Sequence, residues 1–141
     1  MSGRFGRGFL ATGAFSVSDF TPTDYASEVE TALGTGHAHM VKTFTGSVEG
    51  RSLTQFSFAF SPETGVGTYV AMEAFEGAVD GRRGTFNFAH SATTTGSDRS
   101  DEFFLIVPNS GTGELAGITG TGSVVIDDDG ERMVFDYSFA R

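Results

Sequence analysis

Tyr69-Val70-Ala71-Met72-Glu73-Ala74-Phe75, then Val79-Asp80-Gly81-Arg82, then Thr85-Phe86-Asn87-Phe88-Ala89-His90 form two alternating runs joined by an Asx-Gly pair. A period of two is what a half-buried strand requires, because successive side chains leave opposite faces of the backbone. Asp-Gly tolerates the positive φ angles of a two-residue hairpin, so the runs read as neighbouring antiparallel strands. Counting outward from Asp80-Gly81 sets Glu73 opposite Phe88 and makes His90 its diagonal neighbour. Tyr69, Ala71, Glu73 and Phe75 share one face, and Phe86 and Phe88 share a face with His90.

The same period continues on both sides. Leu53, Gln55, Ser57 and Ala59 alternate with Phe56, Phe58 and Phe60, and Val134, Asp136 and Ser138 alternate with Phe135, Tyr137 and Phe139. Asp129-Gly130 reads as a second tight turn and Glu49-Gly50 as a weaker third. Strands are expected near 8–18, 37–48, 52–61, 67–77, 83–95, 101–108, 118–127 and 131–140. Eight short strands with hairpin links predict an all-β, eight-stranded antiparallel closed barrel, since closure removes exposed edges. Because Phe56, Phe58 and Phe60 oppose Gln55, one of those two faces is a candidate oligomer surface.

One segment departs from the pattern. Thr21-Pro22-Thr23-Asp24 offers a cap, a proline for the first helical position and an acid three residues after the cap. Tyr25, Val29, Ala32 and Leu33 follow at helical spacing, with Gly34 to end the helix. A short helix near residues 22–33 is expected, either a plug for one barrel end or a lid over a ligand mouth.

Composition narrows the classes. The chain has 141 residues, 18 acids against 9 bases and a formal charge of −9, which argues against nucleic acid or an anionic membrane as partner. It has no cysteine, which excludes disulfides, thiolate catalysis and zinc–cysteine sites. Its longest apolar run, Phe103–Val107, is far short of the roughly 18–20 residues of a membrane helix. A single barrel domain is expected over 8–141, after a flexible Gly/Arg arm at 1–7, with cytoplasmic localisation. The 15 phenylalanines point to a strongly aromatic interior, either the wall of a pocket or a solid core.

Glu73 and His90 are the leading candidates for chemistry. Burial raises a carboxyl pKa and a neighbouring acid favours imidazolium, so the two are expected to titrate toward neutral pH as a general acid and base. The alternative is a buried polar pair that sets strand register. Tyr69, Gln55, Asn87, Tyr137 and Asp136 are candidates for further polar contacts. His37-x-His39 puts two imidazoles on one strand face, but with no further His or Cys nearby no metal is expected. Asp127-Asp128-Asp129-Gly130 lacks the alternating acids of a calcium loop and reads as a hairpin tip. Gly111–Gly122 has neither the Lys-Ser/Thr of a phosphate loop nor a βαβ context, and no Gly-x-Ser-x-Gly elbow exists. The charges from Asp98 to Glu102 read as an exposed loop.

Several stretches together carry a resemblance. They are Lys42-x-Phe44-x-Gly46 with Glu49-Gly50-x-Ser52, Tyr69–Glu73 with Gly77, Gly81-Arg82-x-Gly84-x-Phe86 with His90-Ser91, Val107-Pro108-x-Ser110-Gly111-Thr112-Gly113-Glu114-Leu115-Ala116-Gly117-Ile118-x-Gly120, and Asp136-Tyr137. They resemble a bacterial family of uncharacterised domains with an allene-oxide-cyclase-like barrel, related in fold to allene oxide cyclases and dirigent proteins. The resemblance implies an eight-stranded barrel, and by analogy of fold a greasy ligand held inside and guided through a cyclisation. Relatives carry an acid near Gln55 and a glycine where Ala92 stands, so a paired-carboxylate mechanism with Glu73 is weakened here.

The combined expectation is a cofactor-independent cyclase or isomerase acting on a hydrophobic small molecule, polyketide- or fatty-acid-like, as in natural-product biosynthesis. Glu73 and His90 would be catalytic, with Tyr69, Phe75, Phe86, Phe88, Gln55 and Tyr137 around the substrate. The expected partners are that ligand and further copies of the chain, as a dimer or trimer. The alternatives are a non-catalytic binding or carrier barrel and a structural module with a filled interior.

Overall fold

The computed structural model describes residues 8–140, so the expected arm at 1–7 lies outside the described residues. Eight strands follow in order: β1 (Phe9–Pro22), β2 (Thr35–Gly46), β3 (Val48–Phe60), β4 (Gly67–Val79), β5 (Arg82–Thr94), β6 (Arg99–Ile106), β7 (Ile118–Asp127) and β8 (Gly130–Phe139). Each pairs antiparallel with the next, and β1 also pairs with β8, closing the barrel. The only helical turn among the described residues is a 3-10 turn at Gly113–Leu115. No helix among these residues is long and apolar enough to cross a membrane.

The β4–β5 hairpin has the register that its turn chemistry predicts. Asp80 and Gly81 take φ of +49° and +82°, and Glu73 lies opposite Phe88 and Ala71 opposite His90. The other two expected turns shift. In β7–β8 the tip is Asp128-Asp129, and Gly130 opens β8 at φ +109°. Glu49-Gly50 is not a turn. The β2–β3 reversal is at Ser47, and Gly50 lies within β3 opposite Gly77. Both glycines have positive φ, and a Cβ on either would run into the carbonyl oxygen of Glu76 or Glu49 on the neighbouring strand. The dipeptide marks a close approach of two strands rather than a reversal.

The helix expected at 22–33 does not form. β1 runs on to Pro22, past an irregularity near Asp19, and residues 23–34 make an irregular strap. Tyr25 and Val29 are exposed, so the apolar stripe has no groove to cover, and a short helix draws most of its stability from such packing. Ser27 and Thr31 instead bond locally to the backbone of Val29 and Leu33, which competes with helical hydrogen bonding.

The two barrel ends differ. At one end lie Ser47, the Asp80-Gly81 turn and the 107–117 segment, whose Leu115 is fully buried. Asp80 ties this end together, since its N–H donates to Ser47 O and its carboxylate accepts from Tyr137 OH. Behind it the lumen is filled by rings. Phe88 stacks on Phe104 at 5.3 Å, with Phe135 edge-on to both, and Phe86 bridges Phe75 and Phe135. At the other end the strap, the 61–66 and 95–98 loops and the β7–β8 tip leave a mouth. The interior is thus solid in one half and open in the other.

Candidate functional site

The inward positions change character between the two halves. On β2 they run Ala38, Met40, Lys42, Phe44; on β3 Ser52, Thr54, Phe56, Phe58; on β4 Tyr69, Ala71, Glu73, Phe75; on β5 Phe86, Phe88, His90, Ala92. Thr54 lies directly opposite Glu73, and Lys42 opposite Ser52. His90 faces Ala71, whose small side chain leaves room for the imidazole to reach both Tyr69 and Glu73, two residues to either side. Register alone therefore converges Lys42, Ser52, Thr54, Glu73, His90 and Tyr69 at mid-barrel, on top of the phenylalanine floor.

Glu73 is fully buried, and both its oxygens are saturated. Oε1 accepts from Ser52 Oγ at 2.5 Å and Thr54 Oγ1 at 2.6 Å, and Oε2 accepts from Lys42 Nζ at 2.5 Å and His90 Nε2 at 2.7 Å. Lys42 Nζ also donates to Thr54 Oγ1 at 2.9 Å. Beyond His90 the chain continues: Nδ1 is 2.8 Å from Tyr69 OH, and that oxygen accepts from Arg99 Nη2 at 2.6 Å. Arg99 Nε is held by Glu102 at 3.0 Å. Since a carboxylate only accepts, His90 carries a proton on Nε2, and a neutral ring then accepts the Tyr69 proton at Nδ1.

The electrostatics reverse the sequence-based expectation. Burial pushes the Glu73 carboxyl up, but the His90 hydrogen bond and the Lys42 charge outweigh it and hold the group down at about 2. His90 is also pushed down, first by burial and then by Lys42 and Arg99, against the pull of Glu73. Neither group is drawn toward neutral pH. Glu73 stays a carboxylate because the His90 hydrogen bond and the Lys42 charge together outweigh burial, and His90 stays a neutral imidazole chiefly because it is buried, with Lys42 and Arg99 adding to that. Burial raises the Tyr69 phenol despite the opposing Arg99, so it remains protonated.

Beside this cluster opens a cavity of about 240 Å3, lined by Lys42, Tyr69, His90, Arg99 and Glu131 and by apolar side chains that include Phe15, Phe20, Phe56 and Val124. Past Phe20, Phe56 and Tyr69 it adjoins a mostly apolar groove of about 360 Å3 under the rim loops. An apolar chamber with a few convergent polar groups is the composition of a small-molecule site.

The sequence-derived candidates separate accordingly. Glu73, His90 and Tyr69 come together. Phe75, Phe86 and Phe88 are buried in the solid half and pack on one another, though Phe88 also stacks beneath His90 at 5.9 Å. Tyr137 lies at the closed end, its hydroxyl spent on Asp80. Gln55 is exposed on the outer wall between His39 and Met72, with the half-buried Phe56 and Phe58 inside, the reverse of the facing that would put Gln55 on a ligand. Asp136 is also exposed, and Asn87 bonds to the backbone oxygen of Glu73 from outside the lumen. His37 and His39 share the outward parity of β2. Lys42, Ser52, Thr54 and Arg99 went unrecognised. For Lys42 the available signal was a lysine at an inward position between Met40 and Phe44. Arg99 is not in an exposed loop; it opens β6 and turns inward.

Comparison with known proteins agrees with this architecture. Residues 11–139 match the model of DUF3224, described as a protein of unknown function. The chain belongs to the DUF3224 family. A DUF3224 protein of unknown function from Shewanella oneidensis MR-1 has a similar structure, with a TM-score of 0.84 and 30% identity over 96% of this chain and 99% of that one. None of the curated proteins matches this chain.

Proposed function

We propose that this DUF3224 protein is a cofactor-independent isomerase or cyclase that moves a proton within an apolar small molecule held in the barrel mouth. The observation that carries this reading is the buried Glu73–His90–Tyr69–Arg99 chain, which ends at the base of an apolar cavity. Tyr69 O takes a proton from an activated C–H of the ligand as its own proton passes to His90 Nδ1. The electron pair of the broken C–H bond moves into the ligand as an enolate while Tyr69 ends neutral; the imidazolium is stabilised by the Glu73 carboxylate, and the negative charge passing from the Tyr69 oxygen to the ligand by Arg99. Reversal of the relay returns the proton to a different atom, so no co-reactant is consumed. Glu73 is then the group that orients and stabilises His90, in place of the base first expected. A cyclisation is one version of this reading, in which the apolar walls fold the ligand toward reaction.

The test is deuterium exchange. Wild-type protein in D2O is incubated with a panel of apolar ketones and enones, and label at carbons next to the carbonyl is followed by NMR. At least one compound is expected to exchange about 10²–10⁴-fold faster than in the presence of Tyr69→Phe, whose fold is checked by circular dichroism. Equal exchange with both proteins, or none with any compound, refutes proton transfer. Binding without exchange would leave the carrier reading, which the apolar walls support equally.

A further inference from the structure

We infer that the cavity selects an apolar monocarboxylate, its head group held by Arg99 and Lys42. The inference rests on the cavity being the ligand site and names the ligand's chemical class. Both cations line the cavity, and their side chains are only 10% and 6% exposed. Lys42 spends two of its three N–H donors on Glu73 and Thr54. Arg99 spends Nε on Glu102 and one Nη2 donor on Tyr69, and both donors of Nη1 have no acceptor among the described residues. Donors left over on buried cations are costly, and a carboxylate is the partner that satisfies a planar guanidinium edge with charge-assisted bonds.

The nearby acids do not occupy these donors. Glu73 already accepts from four groups, the Glu102 side chain is 44% exposed and takes only Nε, and Glu131 sits solvated at the rim. Lys42 is paired with Glu73 and Arg99 with Glu102, so the cavity offers a few unspent N–H donors rather than a surplus of positive charge, which suits a monoanion better than a phosphate dianion. An ammonium head would meet two cations, and the one unpaired carboxylate that lines the cavity among the described residues, Glu131, is exposed at the rim. The remaining walls are apolar, so the rest of the ligand is too. A cavity of 240 Å3 holds roughly eight waters, so a head group and short chain fill it, and a longer chain passes Phe20 and Phe56 into the adjoining groove.

The experiment compares octanoate, methyl octanoate, octanol and octylammonium at pH 8 and low salt, by ligand-observed NMR titration of the full chain. Octanoate is expected to bind at least tenfold tighter than the ester and the alcohol, with octylammonium weakest. Arg99→Gln, its fold checked by circular dichroism, is expected to erase the preference of octanoate over octanol; Arg99→Lys is expected to keep part of it. The wild-type series decides alone if a variant fails to fold: no preference for the acid overturns the inference. A preference that survives in folded Arg99→Gln overturns it as well. If octanoate binds through Arg99 while no carbonyl compound exchanges deuterium, only the isomerase reading falls. If exchange occurs without acid preference, only this inference falls.

Discussion

Lys42→Met removes the cation from the cluster while keeping an unbranched side chain of similar length. Lys42 Nζ and His90 Nε2 donate to the same Glu73 oxygen, at 2.5 and 2.7 Å. Two donors on one oxygen stand roughly 4 Å apart, where unit charges interact by about 4 kcal/mol at an effective dielectric of 20, an upper bound on what Lys42 exerts on a charged His90. The variant is therefore expected to raise the His90 pKa, making the imidazole a readier proton-bearing partner of Glu73. Breaking a buried pair costs about 3–5 kcal/mol when the remaining charge is stranded. Here His90 can take up a proton in its place, so the loss depends on pH. In the wild type, a depressed His90 contributes stability above the ordinary histidine pKa that is lost as pH falls through that range. Glu73 adds a second loss between about 4.5 and 2. In the variant, a raised His90 contributes stability below the ordinary pKa that is lost as pH rises through the folded value. The destabilisation by Lys42→Met should be largest near about pH 8.5 and shrink toward about pH 5.5. Urea unfolding at both pH values and an NMR titration of the three histidines measure these quantities. An unmoved His90 titration, together with a pH-independent loss, would refute the assignment of Lys42 as the group that sets the cluster's protonation.

Phe88→Ala deletes a fully buried ring that holds Phe104 and Phe135 together and underlies His90, so it should cost about 3–5 kcal/mol and lower Tm by roughly 10 °C or more in a thermal melt. Gln55→Ala on the outer wall should change stability by no more than about 0.5 kcal/mol and leave ligand binding intact; a loss of binding would return Gln55 to the site. Tyr137→Phe removes the hydroxyl that donates to Asp80 and should cost about 1 kcal/mol without affecting deuterium exchange. Burial and the Asp80 carboxylate push that phenol up to about 12, so an ultraviolet pH titration should show tyrosine ionisation continuing to about pH 12, a late component that Tyr137→Phe reduces.

The legible parts of the molecule were those that local chemistry determines. Asp80-Gly81 sets a register by counting, and that register alone places His90 diagonally from Glu73. Turn identity was weaker where a glycine had another reason to be present: Gly50 is required by its close approach to Gly77, and no dipeptide statistic separates that need from a reversal. The strap at 23–34 carries good helix start and stop signals, but capping without a groove to cover leaves a helix this short unsupported.

The facing of β3 was ambiguous for a reason tied to the site itself. A half-buried strand is oriented by finding its apolar parity, and β3 gives opposite answers at its two ends. Near the mouth the inward residues are Phe56 and Phe58, whereas at mid-barrel they are Ser52 and Thr54, with Leu53 on the outer wall. The inversion occurs where the strand supplies hydroxyls to a buried carboxylate, so the break in the pattern is a consequence of the polar cluster. Lys42 follows the same rule on β2, a charged residue at an inward position between Met40 and Phe44. Reading Glu73 and His90 as a pair predicted pKa values converging on neutrality. Burial of the imidazole works against that convergence, and the third charge, from β2, works in the same direction, helping to keep the acid ionised and the imidazole neutral. A protonation state in a barrel lumen is a property of every strand that faces it, so periodicity recovers such a site only when polar residues at inward positions are counted on all strands together.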